Sequence, residues 1–256
     1  MPFDRHLLVR LFGFRGAFLH GDPMVWDRWR FLRRFLPLTR NGETLLDAGC
    51  GSGAFTLGAG IRGYAVTGLS WDEVNQGTAQ TRAGILKLPD AQFPICDLRQ
   101  LNQRAAFRER FDVVVNCENI EHILDDRKLM HDLAACLKPG GYALMTAPYR
   151  YYHPLAPADS GPFLQVEDGG HVRRGYSQTM FAELATDAGL VVERFDSCSG
   201  PISQLLSSIG RRLGMLGWLL MLPFRPLQPL DRALMRLFNL HGYSICMVAY
   251  KPRFAR

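Results

Sequence analysis

The densest run of side chains able to do chemistry is Asn116-Cys117-Glu118-Asn119-Ile120-Glu121-His122. Glu118 and Glu121 stand three positions apart, and His122 follows Glu118 by four. If the first turn of a helix forms here, Glu118 and His122 share a face. Two carboxylates and an imidazole are adequate ligands for Mg²⁺, Mn²⁺, Fe²⁺ or Zn²⁺. Carboxylates also gather at helix starts through capping and the helix dipole alone, so ordinary local structure competes with a metal site. Cys117 reads as a buried strand residue, not a reactive thiol.

A second constellation lies upstream. Leu45-Leu46-Asp47-Ala48-Gly49-Cys50-Gly51-Ser52-Gly53 is an apolar strand running into a glycine-rich turn, with a helix beyond it. Glycine lets a backbone turn tightly and approach a ligand closely. The N-terminus of the helix offers unpaired N–H groups to a carboxylate. Gly49-Cys50-Gly51-Ser52-Gly53-Ala54 also satisfies the dinucleotide pattern G-x-G-x-x-G/A, so an NAD-binding oxidoreductase stands as an alternative.

These residues need a scaffold. From Thr44 onward strand-like and helix-like segments alternate, which predicts a mostly parallel sheet covered on both faces. Strands are expected at Thr44–Ala48, Ala65–Leu69, Gln92–Cys96, Phe111–Cys117, Tyr142–Thr146, Leu190–Asp196 and Tyr243–Tyr250. Helices are expected near Phe55–Ile61, Asp72–Leu86, Arg99–Phe107, Arg127–Leu137 and Ser177–Ala188. Pro94 falls inside the third strand, which is tolerated at a sheet edge. Three regions lie outside the alternation: a helical cap over 1–40, an irregular acceptor-side stretch over 149–176, and an apolar insertion over 199–241. The core runs over 41–198, and 242–256 supply the last strand and tail.

Asp47 just before the first glycine, the third glycine at position 53, and Leu137-Lys138-Pro139-Gly140-Gly141 before a later strand together resemble class I methyltransferases. These enzymes use S-adenosylmethionine (SAM). The resemblance implies a Rossmann-like α/β sheet of seven strands, mostly parallel with an antiparallel last strand and helices on both faces. It implies that Asp47, Gly49, Cys50, Gly51 and Gly53 hold the methionine end of SAM. Asp97, with Leu98 beside it, matches the acid that contacts the adenine amino group, and Asn116 ends the strand facing the cofactor. Where the second strand should end in an acid for the ribose hydroxyls, Ser70 stands instead, and a serine makes only one such bond well. The missing carboxylate also counts against NAD. Trp71 is placed either to stack on adenine or to cover the following helix.

The E-x-x-E-H run is similar to that of ubiquinone-pathway O-methyltransferases and of small-RNA 2′-O-methyltransferases. In the latter it binds a divalent ion with a later histidine, which His171 matches here; His153 is a spare candidate. The resemblance thus gives Glu118, Glu121, His122 and His171 as ligands for Mg²⁺ or Mn²⁺, or His122, His171 and Glu121 as acid–base groups.

Bulk properties narrow the partners. With 256 residues the chain suits one α/β domain with elaborations. The net charge is +6, yet no basic tract interleaved with aromatics follows a nucleic-acid backbone, which argues against nucleic acid. Cys50, Cys96, Cys117, Cys136, Cys198 and Cys246 form no CxxC pair and read as buried thiols of a reducing compartment. The segment from Met1 to Gly21 reads as an amphipathic helix, not a signal peptide. The cytoplasm is the default, with the inner face of a membrane as a peripheral site. Within 199–241, Arg211, Arg212, Arg225, Arg232 and Arg236 face a single Asp231. Apolar residues flanked by arginines suit an anionic membrane surface, and a lid or a dimer surface are the competing readings. The expected acceptor is a small apolar or lipid-linked molecule methylated on oxygen. A non-catalytic, membrane-associated adaptor retaining the fold is the other alternative.

Overall fold

The computed structural model describes residues 6–19, 21–153, 155 and 161–253. The expected N-terminal helix over Met1–Gly21 falls partly outside them. What is described there is a short helix α1 (Leu7–Phe12), a 3-10 turn and α2 (Gly16–Leu19). Next comes α3 (Pro23–Leu32), started by the Asp22 carboxylate, which accepts from the Met24 N–H at 2.9 Å.

The core then alternates β1 (Thr44–Ala48), α4 (Ala54–Ile61), β2 (Ala65–Leu69), α5 (Glu73–Ile85), β3 (Phe111–Cys117), α6 (Asp126–Cys136), β4 (Leu137–Pro148), α7 (Gln178–Asp187) and β5 (Val191–Cys198). Beyond it lie α8 (Pro201–Met221), α9 (Asp231–Leu237) and β6 (Ser244–Tyr250). The sheet order is β2-β1-β3-β4-β6-β5, and only β6 runs against its neighbours. The central strands are apolar on both faces, as strands covered on both sides must be. One face carries α6 and α7 through Leu129, Leu133 and Phe181. The other carries α3, α4 and α5 through Trp29, Phe31, Leu57 and Ala83. Asp72, Asp125 and Ser177 cap α5, α6 and α7 with their side chains.

Among the described residues the sheet has six strands, not the seven expected. The segment 92–96 contributes only isolated parallel bridges, Thr67 to Gln92 and Ser70 to Ile95. The cause is Pro94, which has no N–H to continue the ladder. Gln76 fills the gap: its Nε2 donates to Gly68 O at 3.0 Å and to Pro94 O at 2.6 Å. The helix expected over Arg99–Phe107 is instead two 3-10 turns, Leu98–Gln103 and Ala105–Phe107. Leu137-Lys138-Pro139-Gly140-Gly141 lies inside β4, forming an irregularity between Leu137, paired with Phe111, and Tyr142, paired with Val113.

The insertion is helical and folds back on itself. α8 leaves helical geometry at Gly214 (φ 58°, ψ −140°). The Trp218 ring then lies over Gly210, where a methyl group would meet it at 2.2 Å. The insertion is tied to the N-terminal cap: Arg225 donates to the carbonyls of Phe18 and Gly21, and Gln228 Nε2 donates to Pro23 O at 3.0 Å.

Candidate active site

The glycine loop leaves β1 in left-handed backbone, with φ of +86° at Gly49, +50° at Gly51 and +82° at Gly53. The three glycines answer different needs. A Cβ on Gly49 would strike the Asn119 side chain at 2.7 Å, and one on Gly53 would meet Ala79 at 2.8 Å. At Gly51 nothing lies within 4 Å, so only its backbone angle and the open space beside it call for glycine. Arg82 reaches from α5 to Ser52, its Nη1 donating to Oγ at 2.9 Å. Cys50 donates its thiol to Gln76 Oε1 at 3.4 Å, so Gln76 braces the loop as well as the broken third strand.

Asp47 is buried under this loop. Its Oδ2 accepts from Thr56 Oγ1 at 2.6 Å, while Oδ1 has no partner. Burial pushes its carboxyl up to about 6, against the pull of Thr56. Asn116, next to last in β3, donates to Ala48 O at 2.8 Å.

A cavity of about 430 Å³ opens beyond the ends of β2 and β3. Ser70, Trp71, Asp72, Asn75, Asp97 and Leu98 line one wall, and Glu118, Asn119 and His122 another. Trp71, 71% exposed, forms part of that first wall. Ser70 Oγ accepts from the Asp72 N–H at 3.2 Å. Asp97 is engaged by Arg99, whose Nη2 lies 2.6 Å from Oδ2, and this guanidinium holds the carboxyl below its usual range. Arg99 also reaches Glu167 at 2.8 Å, and Glu167 accepts from the Leu124 N–H at 2.7 Å. Asp97, the Leu124 backbone and Glu167 of the later stretch are therefore clasped together.

The E-x-x-E-H run does not form the helical turn expected of it. Glu118 takes left-handed backbone at φ 48°, and the following turn, Ile120–His122, is 3-10. Glu118 consequently turns away from His122. Its Oε1 accepts from Thr146 Oγ1 at 3.0 Å and Ser244 Oγ at 2.8 Å, and its Oε2 faces Arg28 at 3.3 Å. The structure does not bring Glu118 to the other three expected ligands.

Those three do meet. One ligand atom from each of Glu121, His122 and His171 lies within 4.8 Å of the others. Glu121 Oε1 is 3.8 Å from His122 Nε2 and 3.9 Å from His171 Nε2, and the two imidazole rings stand 4.7 Å apart. The Glu121 carboxylate is fully buried, and neither oxygen has a hydrogen-bond partner. Burial, then the charge of Glu118, drive it well above the carboxylate range, with Arg28 and Arg173 opposing. Two backbone-level ties fix the distant loop: Val172 N–H donates to Glu121 O at 3.0 Å, and His122 Nδ1 lies 2.9 Å from Gly170 O. Arg173 secures it further, donating to the carbonyls of Ile123 and Leu124 at 2.8 Å each. His153 lies elsewhere, lining a small cavity with Gln204 and His241.

A second cavity, of about 310 Å³, adjoins the first along Asp168–His171 and is lined by Phe163, Leu164, His171, Arg211 and Tyr243. Arg28, Gln76, Arg82, Arg99 and Tyr243 form no recognisable motif. Each is positioned by a contact with a residue far away in sequence.

A family model described as a methyltransferase domain matches residues 20–194. The chain belongs to the class I SAM-dependent methyltransferases. The chain is 36% identical over 120 residues to a ubiquinone biosynthesis O-methyltransferase of Caulobacter vibrioides, covering 47% of this chain and 46% of that one. It is 33% identical over 107 residues to the mitochondrial ubiquinone biosynthesis O-methyltransferase of Homo sapiens, covering 41% of this chain and 28% of the relative. These matches thus span less than half of the relatives' own length. In fold the methyltransferase is similar to the Haemonchus contortus phosphoethanolamine N-methyltransferase 2 solved with SAM. The TM-score is 0.65 at 19% identity, over 97% of this chain and 60% of that one. Family membership accounts for the glycine loop without a dinucleotide.

Proposed function

We propose that this chain transfers the methyl group of SAM to an acceptor oxygen of a small apolar molecule. One observation carries the reading: His122 lines the cavity whose Asn119 wall packs against Gly49 of the glycine loop, His171 lines the adjoining one, and Glu121 sits buried beside both. With SAM in the first cavity and the acceptor in the second, transfer occurs at the histidine pair. The acceptor oxygen forms a bond to the methyl carbon as the carbon–sulfur bond breaks and leaves a neutral thioether. The hydroxyl proton passes to an imidazole, and the positive charge formed there favours ionisation of the Glu121 carboxyl 3.8–3.9 Å away, which then steadies the imidazolium. Positioning in line supplies most of the acceleration.

The ubiquinone-pathway relatives favour an oxygen acceptor on an apolar body, and Phe163 and Leu164 offer such a body apolar contact. A second reading adds a divalent cation such as Mg²⁺ or Mn²⁺. Its support is the Glu121 carboxylate, buried without a partner beside two imidazoles, since a cation would satisfy those oxygens. Glu121, His122 and His171 would hold it, and it would supply Lewis-acid activation of the acceptor hydroxyl.

The test is calorimetric titration with SAM, with and without Mn²⁺ or a chelator, followed by transfer of labelled methyl to quinols and extracted lipids. Micromolar SAM binding, and label in an ether of the lipid fraction that His171→Ala removes, is the expected result. Absence of SAM binding under every condition overturns the reading. Binding and transfer indifferent to chelation remove the metal alone.

A further inference from the structure

The insertion is inverted with respect to a water-soluble helical pair. On α8 the side chains turned inward are mostly polar: Ser203 and Ser207 are fully buried and Ser208 is 5% exposed, with Leu206 the apolar residue among them at 4%. They join a buried network in which Ser207 Oγ donates to Asp22 Oδ2 at 3.1 Å and Gln228 Nε2 to Ser203 Oγ at 3.0 Å. The side chains turned outward are apolar. Eleven of the described large apolar residues between positions 205 and 240 are 40% or more exposed. Leu216, Leu219 and Leu220 share one face of α8 as a stripe, and exposed Phe224 and Leu227 follow, three apart, on the 3-10 segment Leu222–Leu230. Water favours the opposite arrangement, with leucine inside and serine outside.

The charges around the stripe have one sign. Arg211, Arg212, Arg232 and Arg236 are exposed. The one acid of the segment, Asp231, is buried, where its carboxylate accepts from the Ile202 and Ser203 N–H groups at the start of α8. Arg225 is held by the carbonyls of Phe18 and Gly21. The outer face therefore combines leucine and phenylalanine with arginine and no exposed acid. The family match ends at residue 194, so this element lies outside the shared domain.

We infer that residues 205–240 dock this protein on an anionic lipid bilayer, with the leucine stripe entering the interface and the arginines meeting lipid phosphates. Among the described residues no helix is long and apolar enough to cross a membrane, so the contact is peripheral. A consequence rests on the function proposed above. Arg211 also lines the acceptor cavity beside His171 and Tyr243, so docking borders that cavity with lipid, and an acceptor dissolved in the bilayer enters without crossing water.

The test is flotation of the whole chain with phosphatidylcholine vesicles and with vesicles that also carry phosphatidylglycerol, at low and high salt. Selective flotation with the anionic vesicles, weakened by salt, is expected. Replacing Arg212, Arg232 and Arg236 with Gln lowers partitioning by about fivefold per arginine. Replacing Leu216, Leu219 and Leu220 with Gln abolishes it. SAM titration of both variants, unchanged from the parent, shows that they are folded. Failure to float with anionic vesicles while SAM still binds overturns the inference, as does equal binding to neutral vesicles. So does a dimer in sedimentation that the leucine variant disperses, without vesicle binding. Flotation without SAM binding leaves the docking intact and removes the proposed function.

Discussion

Arg28 and Glu118, ninety positions apart, face each other at 3.3 Å with only 10% and 12% of their side chains exposed. The pair joins the N-terminal cap to the end of β3. Ser244 links both, accepting from Arg28 Nε at 3.4 Å and donating to Glu118 at 2.8 Å. Removing one member strands a buried charge. Arg28→Met should destabilise the fold by about 3–5 kcal/mol in urea unfolding. Adding Glu118→Gln should recover at least half of that loss, because the amide oxygen still accepts from Thr146 and Ser244. A double variant no better than the single one would show that Arg28 acts through packing alone.

Asp47 makes stability pH-dependent. Its folded pKa, about 6, lies above the ordinary value of 3.8, so the folded state holds the proton more tightly. Through Asp47 the unliganded protein should therefore lose stability as pH rises from about 4 to about 6, by at most about 3 kcal/mol from this residue. Asp27, also raised to about 6 by burial, acts with the same sign. Asp47→Asn should remove its own share of the slope and leave that of Asp27. Urea midpoints between pH 4 and pH 7 read the difference, and coincident slopes would show that Thr56 already offsets the buried charge.

Gly51 and Gly53 should separate under substitution by alanine. Gly51→Ala strains a left-handed residue, costing about 1 kcal/mol of stability, and places its methyl group in unfilled space beside the loop that the family fold implies for SAM. SAM affinity should fall at least tenfold. Gly53→Ala collides with Ala79 and should cost stability first. Paired calorimetry and unfolding measurements distinguish the two.

Gln76→Leu should cost about 2 kcal/mol, because it leaves the Gly68 and Pro94 carbonyls without their donor. Pro94→Ala supplies a backbone N–H where the ladder lacks one. It should therefore be nearly neutral alone but stabilising in the Gln76→Leu background, a coupling visible in a double-mutant cycle.

The alternation of apolar runs and capped helices was legible because local pattern decides it: β1, β2 and β3 start and end where the sequence places them. The third strand failed because one proline removes one donor, and its repair by Gln76 comes from a helix that sequence reading treats separately. The same limit applied at the E-x-x-E-H run. Spacing allowed Glu118 and His122 to share a helical face. The choice between that and a left-handed turn was made by Arg28, Thr146 and Ser244, none of them near in sequence. His171 was legible only through resemblance, since nothing local to Gly170-His171-Val172-Arg173 announces that it meets Glu121. The charge of the insertion could be read directly. Its inverted burial could not, because serine and leucine at helical spacing do not reveal which side faces the protein.

The tie between the insertion and the N-terminal cap has a consequence for biosynthesis. Asp22, Pro23 O and Arg28 find their partners at Ser207, Gln228 and Ser244, all near the other end of the chain. At about 5–20 residues per second, a ribosome needs on the order of 10–40 s to supply them. During that interval the cap can settle on the sheet but cannot close its polar network, so nascent chains should bind chaperones through this cap until Ser244 emerges.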